Sequence, residues 1–177
     1  RPTSRRWRSS TDDAMPVEIE RKFLVEGDAW RNGVRRHELF RQGYLAGSES
    51  CSVRVRVGGE RAWVGIKGRV LGASRPEYEY EIPLHEANEI LDTLCVHGRI
   101  EKRRHWVPYA DHEWEVDEFL GRNAGLLVAE LELEDESETF VPPPWLGHEV
   151  TADERYYNSS LARHPWSEWP AASRDAR

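Results

Sequence analysis

The chain has 177 residues, enough for one domain with a complete core and too few for two of ordinary size. Only 38% of it is apolar and 32% is charged, but eight Trp, six Tyr and four Phe exclude a disordered chain, because disordered chains are poor in aromatics. A net charge of −7 excludes a broad nucleic-acid coat, which needs wide phosphate neutralisation, and leaves room for a cationic site inside an acidic shell.

In chain order, Arg1–Ala14 is polar and mostly basic without periodicity, and reads as a flexible extension ahead of a domain opening at Met15. Eight segments then alternate as strands: Val17–Val25, Glu38–Leu45, Ser52–Val57, Ala62–Lys67, Glu77–Ile82, Glu101–Val107, Glu113–Phe119 and Leu126–Glu134. Gly58-Gly59 is a two-residue hairpin signal, since both glycines accept positive φ. A helix over Glu86–Leu94 sets Ala87, Ile90, Leu91 and Leu94 on one face. A second is expected over Thr151–Ala162, with Thr151 and Glu154 at capping-box spacing. His164–Arg177 has no apolar stripe and reads as a loose tail, with Trp166 and Trp169 able to dock locally. The working domain is therefore placed at residues 15–163, without an internal repeat. Cys51 and Cys95 are far apart and outside metal-ligand spacing, which makes a reducing, cytoplasmic compartment the default. No apolar run has the length of a membrane span.

Strand period two lets each face be written separately. Glu18, Glu20 and Lys22 share one face of the first strand, against Val17, Ile19 and Phe23. Arg54 and Arg56 oppose Val53, Val55 and Val57; Glu77, Glu79 and Glu81 oppose Tyr78, Tyr80 and Ile82. Lys67 ends the fourth strand, Lys102 and Arg104 lie on the sixth, Glu113, Glu115 and Asp117 on the seventh, and Glu130, Glu132 and Glu134 on the eighth, opposite Leu131 and Leu133. A sheet with one wet face shows the same alternation. Solvated faces usually mix signs, however, whereas whole strands here carry one sign, and such blocks repel unless opposite charge lies between them. A polyanion bridged by divalent metal supplies that charge: carboxylates are hard ligands for Mg2+ or Mn2+, and guanidinium and ammonium groups bind phosphate oxygens.

Glu18-Ile19-Glu20-Arg21-Lys22-Phe23 resembles the N-terminal Glu-x-Glu-x-Lys signature of the CYTH domain, or triphosphate tunnel metalloenzyme, superfamily. Further segments follow in that family's order: Arg41–Leu45, Val53–Arg56, Ile66–Gly68, Arg75–Pro83, Glu101–Arg104, Glu115–Phe119, Ala129–Leu133, and Glu149–Thr151 leading to Arg155–Asn158. The Lys-x-Arg spacing selects Lys102 and Arg104 and leaves Arg103 outside. The resemblance implies a mainly β (α+β) fold: a closed eight-stranded antiparallel β-barrel, or tunnel, with helices packed on the outside. Val53, Val55, Val57, Tyr78, Tyr80, Leu131 and Leu133 are then expected outside, beneath the helices, each worth roughly 1.5–3 kcal/mol when buried.

The expected function is that of a metal-dependent hydrolase cleaving the terminal phosphate of a triphosphate, inorganic triphosphate first, with Mg2+ or Mn2+ as cofactor. Glu18, Glu20, Glu130 and Glu132 are the expected metal ligands, with Asp117 either completing the cluster or holding a neighbouring Arg. Lys22, Arg54, Arg56, Lys67, Lys102 and Arg104 form the expected phosphate cradle. Glu77 and Glu79 bind a second metal or orient the cations; Glu81 and Glu134 fall at the mouth. Tyr44 joins Glu18, Glu20 and Lys22 as a catalytic candidate, either donating to a phosphate or a metal-bound water or serving as an ordinary barrel tyrosine. The partner is a small-molecule triphosphate, with no membrane and no broad nucleic-acid surface; a homodimer stays open. Rival readings are a class IV-type adenylyl cyclase, which needs an added purine pocket, a thiamine triphosphatase, and a non-catalytic polyphosphate or nucleotide-binding module.

Overall fold

A computed structural model of the chain describes residues 17–47, 51–68, 74–96 and 98–171. The described strands are β1 (Val17–Val25), β2 (Arg36–Gly47), β3 (Cys51–Gly58), β4 (Arg61–Gly68), β5 (Ser74–Ile82), β6 (Arg99–Tyr109), β7 (His112–Phe119), β8 (Leu127–Leu133) and β9 (Leu146–Glu149). The first eight correspond to the expected strands, lengthened by one to three residues at most ends. Every pairing is antiparallel, in the order β5-β4-β3-β2-β6-β7-β8-β1, and β5 returns to pair with β1 through Val17↔Pro76, Glu18↔Arg75 and Ile19↔Ser74. That return closes the eight strands into a ring.

β9 was not among the expected strands. It pairs with the end of β1 through Phe23↔Glu149 and Val25↔Leu146, along the same edge that β5 uses further back. Four residues reading Leu-Gly-His-Glu after a run of three prolines carry no alternation to announce a strand.

Two apolar clusters lie outside the ring. Val55, Val57, Ala62, Ala87, Leu91 and Cys95 pack α1 (Leu84–Thr93) against β3 and β4. Phe23, Val25, Trp30, Trp114, Val116, Leu131, Leu133 and Trp145 form the other, with Phe140 and Leu146 packed against it. Leu94, expected on the buried helix face, is exposed just past the end of α1. Tyr78 and Tyr80, expected beneath a helix, are 38% and 54% exposed, because α1 covers the neighbouring β3 and β4 instead.

The third cluster corrects the expectation that hydrophobic packing lies outside the barrel. Leu24, Ile100, Phe119 and Val128 share strand faces with Lys22, Lys102, Asp117 and Glu130, so they point into the lumen. They meet Leu126, Val150, Tyr156, Leu161, Trp166 and Trp169 at one end of the ring. The segment expected as one helix over Thr151–Ala162 is a 3-10 turn over Glu154–Tyr156 followed by α2 (Asn158–Arg163), because Tyr157 is extended between them (φ −68°, ψ 138°). Thr151 makes no capping box: its hydroxyl accepts the Lys22 N–H at 3.0 Å and donates to Glu149 at 2.7 Å, while Asp153 caps the turn. Trp166 and Trp169, in the segment read as a tail, are buried against this end, and the Trp166 N–H donates to Asn123 Oδ1 at 2.7 Å. Gly98 has φ +103°, and a Cβ there would stand 2.1 Å from the Ala162 carbonyl, so a glycine lets α2 close down on the barrel end.

The β3–β4 hairpin turns on Gly59 and Glu60. Gly59 alone of the two glycines has positive φ (+54°), and Gly58 pairs with Arg61 as the last strand residue. Cys51 is exposed and Cys95 buried. Among the described residues no helix is long and apolar enough to cross a membrane.

Candidate functional site

The inward faces of the eight strands carry two linked sets of ion pairs that share β1. On one side, Lys67 Nζ donates to Glu18 at 2.8 and 3.0 Å and stands 3.4 Å from Glu77. Glu77 is 3.6 Å from Arg54, whose Nη2 donates to Glu79 at 3.3 Å, and Arg56 Nη2 donates to the same Glu79 carboxylate at 2.9 and 3.1 Å. Gly65, opposite Arg54 in register, leaves room for that guanidinium to lie over β4: a Cβ would already touch it at 3.5 Å.

On the other side, Lys22 Nζ reaches Glu130 at 2.5 Å and Glu20 at 2.9 Å. Arg104 grips Asp117 through two parallel bonds of 2.7 Å and also donates to Glu115 and Glu130. Lys102 donates to Asp117 as well. The strand register dictates these partners, since Lys22↔Glu130, Arg104↔Asp117 and Glu115↔Glu130 face each other directly across neighbouring strands.

The structure therefore brings Glu18, Glu20, Lys22, Arg54, Arg56, Lys67, Glu77, Glu79, Lys102, Arg104, Asp117 and Glu130 together in one lumen. Glu132 sits opposite Glu20 in register and is exposed. Glu81 pairs with Arg61 at 2.6 Å, both exposed, and Glu134 is exposed beyond the end of β8. Tyr44 is partly buried against the apolar end of the lumen, and its hydroxyl accepts from Gln42 Nε2 at 3.1 Å. Two lumenal residues had no assigned role from the sequence. Glu115 binds Arg104 and accepts from Trp106 Nε1 at 3.0 Å; its place on the Glu113-Glu115-Asp117 face was the available signal. Gln42 is fully buried, and nothing in composition or spacing marked it.

Burial makes the charges unequal. Glu20 is raised to about 7, first by desolvation, then by Glu130 and Glu18, against the opposing pull of Lys22 and Lys67. Desolvation also opposes ionisation of Glu130, but Lys22, Lys102 and Arg104 outweigh it and hold that carboxyl well below its usual range. Lys22 thus favours Glu130, and Glu20 is left undercompensated. Burial raises Glu77, lowers Lys102, and with Arg54 alongside lowers Arg56 to about 10. The Nε atoms of Arg54 and Arg56 are buried and find no hydrogen-bond partner among the described residues. Among the described residues no three Asp, Glu, His or Cys side chains are already grouped as a metal cage.

The CYTH domain family model matches residues 16–163. The chain is 50% identical over 152 residues to a protein of Acetivibrio thermocellus named inorganic triphosphatase, covering 86% of this chain and 97% of that one. A Nitrosomonas europaea protein of the same name is 38% identical over 150 residues, covering 82% and 97%. The crystal structure of the inorganic triphosphatase NE1496 superimposes with a TM-score of 0.63 at 34% identity, covering 84% of this chain and 96% of that one.

Proposed function

The chain belongs to the CYTH domain family, and from that premise we propose that it hydrolyses the terminal phosphate of a triphosphate, inorganic triphosphate first, with a divalent cation. The observation that carries this reading is the buried Nε–H of Arg54, which finds no partner among the described residues and lies beside Arg56 on the inward face of β3. A buried donor left unpaired costs about 1–3 kcal/mol, and a phosphate oxygen satisfies it while taking a second bond from the same guanidinium. Lys22, Lys67, Lys102 and Arg104 surround the same lumen. The names of the relatives from Acetivibrio thermocellus and Nitrosomonas europaea support the inorganic substrate.

The donor set fits a divalent cation. The six lumenal cations already face carboxylates, so a polyanion entering alone would meet uncompensated acid, above all at Glu20. Glu18, Glu20, Glu130 and Glu132 would hold the ion, three of them now paired to lysines that would turn to the phosphates. Bound there, Mg2+ or Mn2+ would offset charge on the phosphates and lower the pKa of a bound water. The chain's own part is to orient and to exclude water: Arg54 and Arg56 fix phosphate oxygens, Lys22 and Lys67 neutralise them, and the apolar end of the lumen keeps the site from opening through to solvent. Asp117, with both oxygens committed to Arg104 and Lys102, serves to hold Arg104.

The test is phosphate release from inorganic triphosphate, thiamine triphosphate and ATP, each with Mg2+ or Mn2+, with cyclic AMP followed in the ATP arm. Fastest release from inorganic triphosphate, abolished by Glu20→Ala in a folded protein, is the expected result. Full activity in that variant removes the metal assignment, and tight binding without phosphate release replaces catalysis by a binding role.

A further inference from the structure

Gln42 is fully buried on β2, on the inward face between Phe40 and Tyr44. Its Nε2 donates to the Tyr44 hydroxyl at 3.1 Å, which aims the amide oxygen the other way. That Oε1 is buried and has no partner among the described residues. Gln42 stands directly opposite Arg56 in the β2–β3 register, and Arg56 Nε, also buried, has none either. An acceptor and a donor, neither bonded to the other, thus stand at paired positions on adjacent strands. A water can bridge two such groups, accepting from the Nε–H and donating to the amide oxygen. A carbonyl oxygen repels phosphate, so the group that meets it is a donor, and a water held on the Arg56 Nε–H is one.

We propose that Gln42 is a positioning residue that holds a water against Arg56 Nε and so sets the plane of the Arg56 guanidinium for the substrate. The bridge occupies one edge of the guanidinium and turns its two Nη groups, one now on Glu79, toward the phosphates. The cation it orients is one whose charge is poorly compensated, with burial and Arg54 both working against it. Gln42 therefore acts through Arg56 and touches no reacting atom. The inference rests on the triphosphate reading given above.

The test is a double-mutant cycle of Gln42→Met and Arg56→Met, read as KM and kcat for inorganic triphosphate and as calorimetric affinity in the presence of Mg2+. Gln42→Met conserves volume and removes the amide, so a merely structural Gln42 predicts a changed Tm and unchanged affinity. The expected result is a roughly five- to fiftyfold rise in KM and in the dissociation constant, with kcat within about threefold and Tm unchanged, because the amide orients Arg56 without holding the fold. In the Arg56→Met background the same change should have no further effect. Additive losses, or an affinity unaltered by Gln42→Met, overturn the proposal while the wild type still releases phosphate. A wild type that neither binds nor cleaves triphosphate overturns the functional reading instead. Should Gln42→Met not fold, Gln42→Leu also removes the amide without adding charge; its affinity loss must likewise vanish without Arg56, and persistence of that loss also overturns the proposal.

Discussion

Glu20→Gln should stabilise the metal-free protein while abolishing its turnover. In the folded chain the Glu20 carboxyl is raised from 4.5 to about 7 by burial and by Glu130 and Glu18, against Lys22 and Lys67, with Glu132 opposite it in register. A raised carboxyl means that between about pH 4.5 and 7 the folded state binds more protons than the unfolded one, so this group's contribution to stability falls as pH rises. Below that window the wild-type side chain is protonated and the amide is its near equal. Above it, at about 1.4 kcal/mol per pH unit separating the two pKa values, the ionised carboxylate costs roughly 3 kcal/mol. At about 2–4 °C per kcal/mol for a chain of this size, the variant should gain up to roughly 10 °C in Tm at pH 8 and almost nothing at pH 5. The assay is urea unfolding of both proteins with EDTA from pH 5 to 8, scored as their difference, which cancels the contribution of His105, whose lowered pKa acts with the opposite sign. A difference that stays flat across the window refutes the electrostatics argued for this lumen.

Removing Arg104 should damage the fold, because Asp117 has no exposed surface and would keep a buried charge: Arg104→Met should lose about 3–5 kcal/mol by chemical denaturation. Arg56→Met should leave stability within about 1 kcal/mol, since its partner Glu79 can turn to water, yet weaken triphosphate binding by calorimetry. Trp166→Ala should cost about 3–5 kcal/mol and shift the tryptophan fluorescence of the unfolding transition, as the ring packs against Trp169 and Tyr156. Gly98→Ala should cost at least about 1–3 kcal/mol, because the backbone is left-handed there and the new methyl would strike the Ala162 carbonyl; circular dichroism and Tm give the measure.

The barrel was legible because its strands are long and its two faces differ in charge: Glu18, Glu20 and Lys22 against Ile19 and Phe23 needs only a period of two. The same rule, carried one step further, would have exposed the sealed end. The pairs Lys22-x-Leu24, Ile100-x-Lys102, Asp117-x-Phe119 and Val128-x-Glu130 each show an inward face changing from charged to apolar in the direction of that end. β9 was hidden for the opposite reason, since four residues flanking prolines owe their strand state to the edge of β1 and not to their own pattern. The Thr151–Ala162 segment misled because Thr151 serves β1, a tertiary contact that local capping spacing cannot reveal. Which carboxylate keeps its proton was equally out of reach, as it depends on Lys22 standing nearer Glu130 than Glu20.

The seam between β1 and β5 is joined, among the described residues, only through Val17, Glu18 and Ile19, whereas β1 meets β8 over most of its length. The side chains of Glu18, Lys67 and Glu77 lie across that seam. A ligand gripping all three would rivet the cylinder at its weakest joint, so amide hydrogen exchange along β5 should slow on binding far more than along β8. Occupancy would then be felt as mechanical closure of the whole hoop, and the empty protein would be the one that breathes.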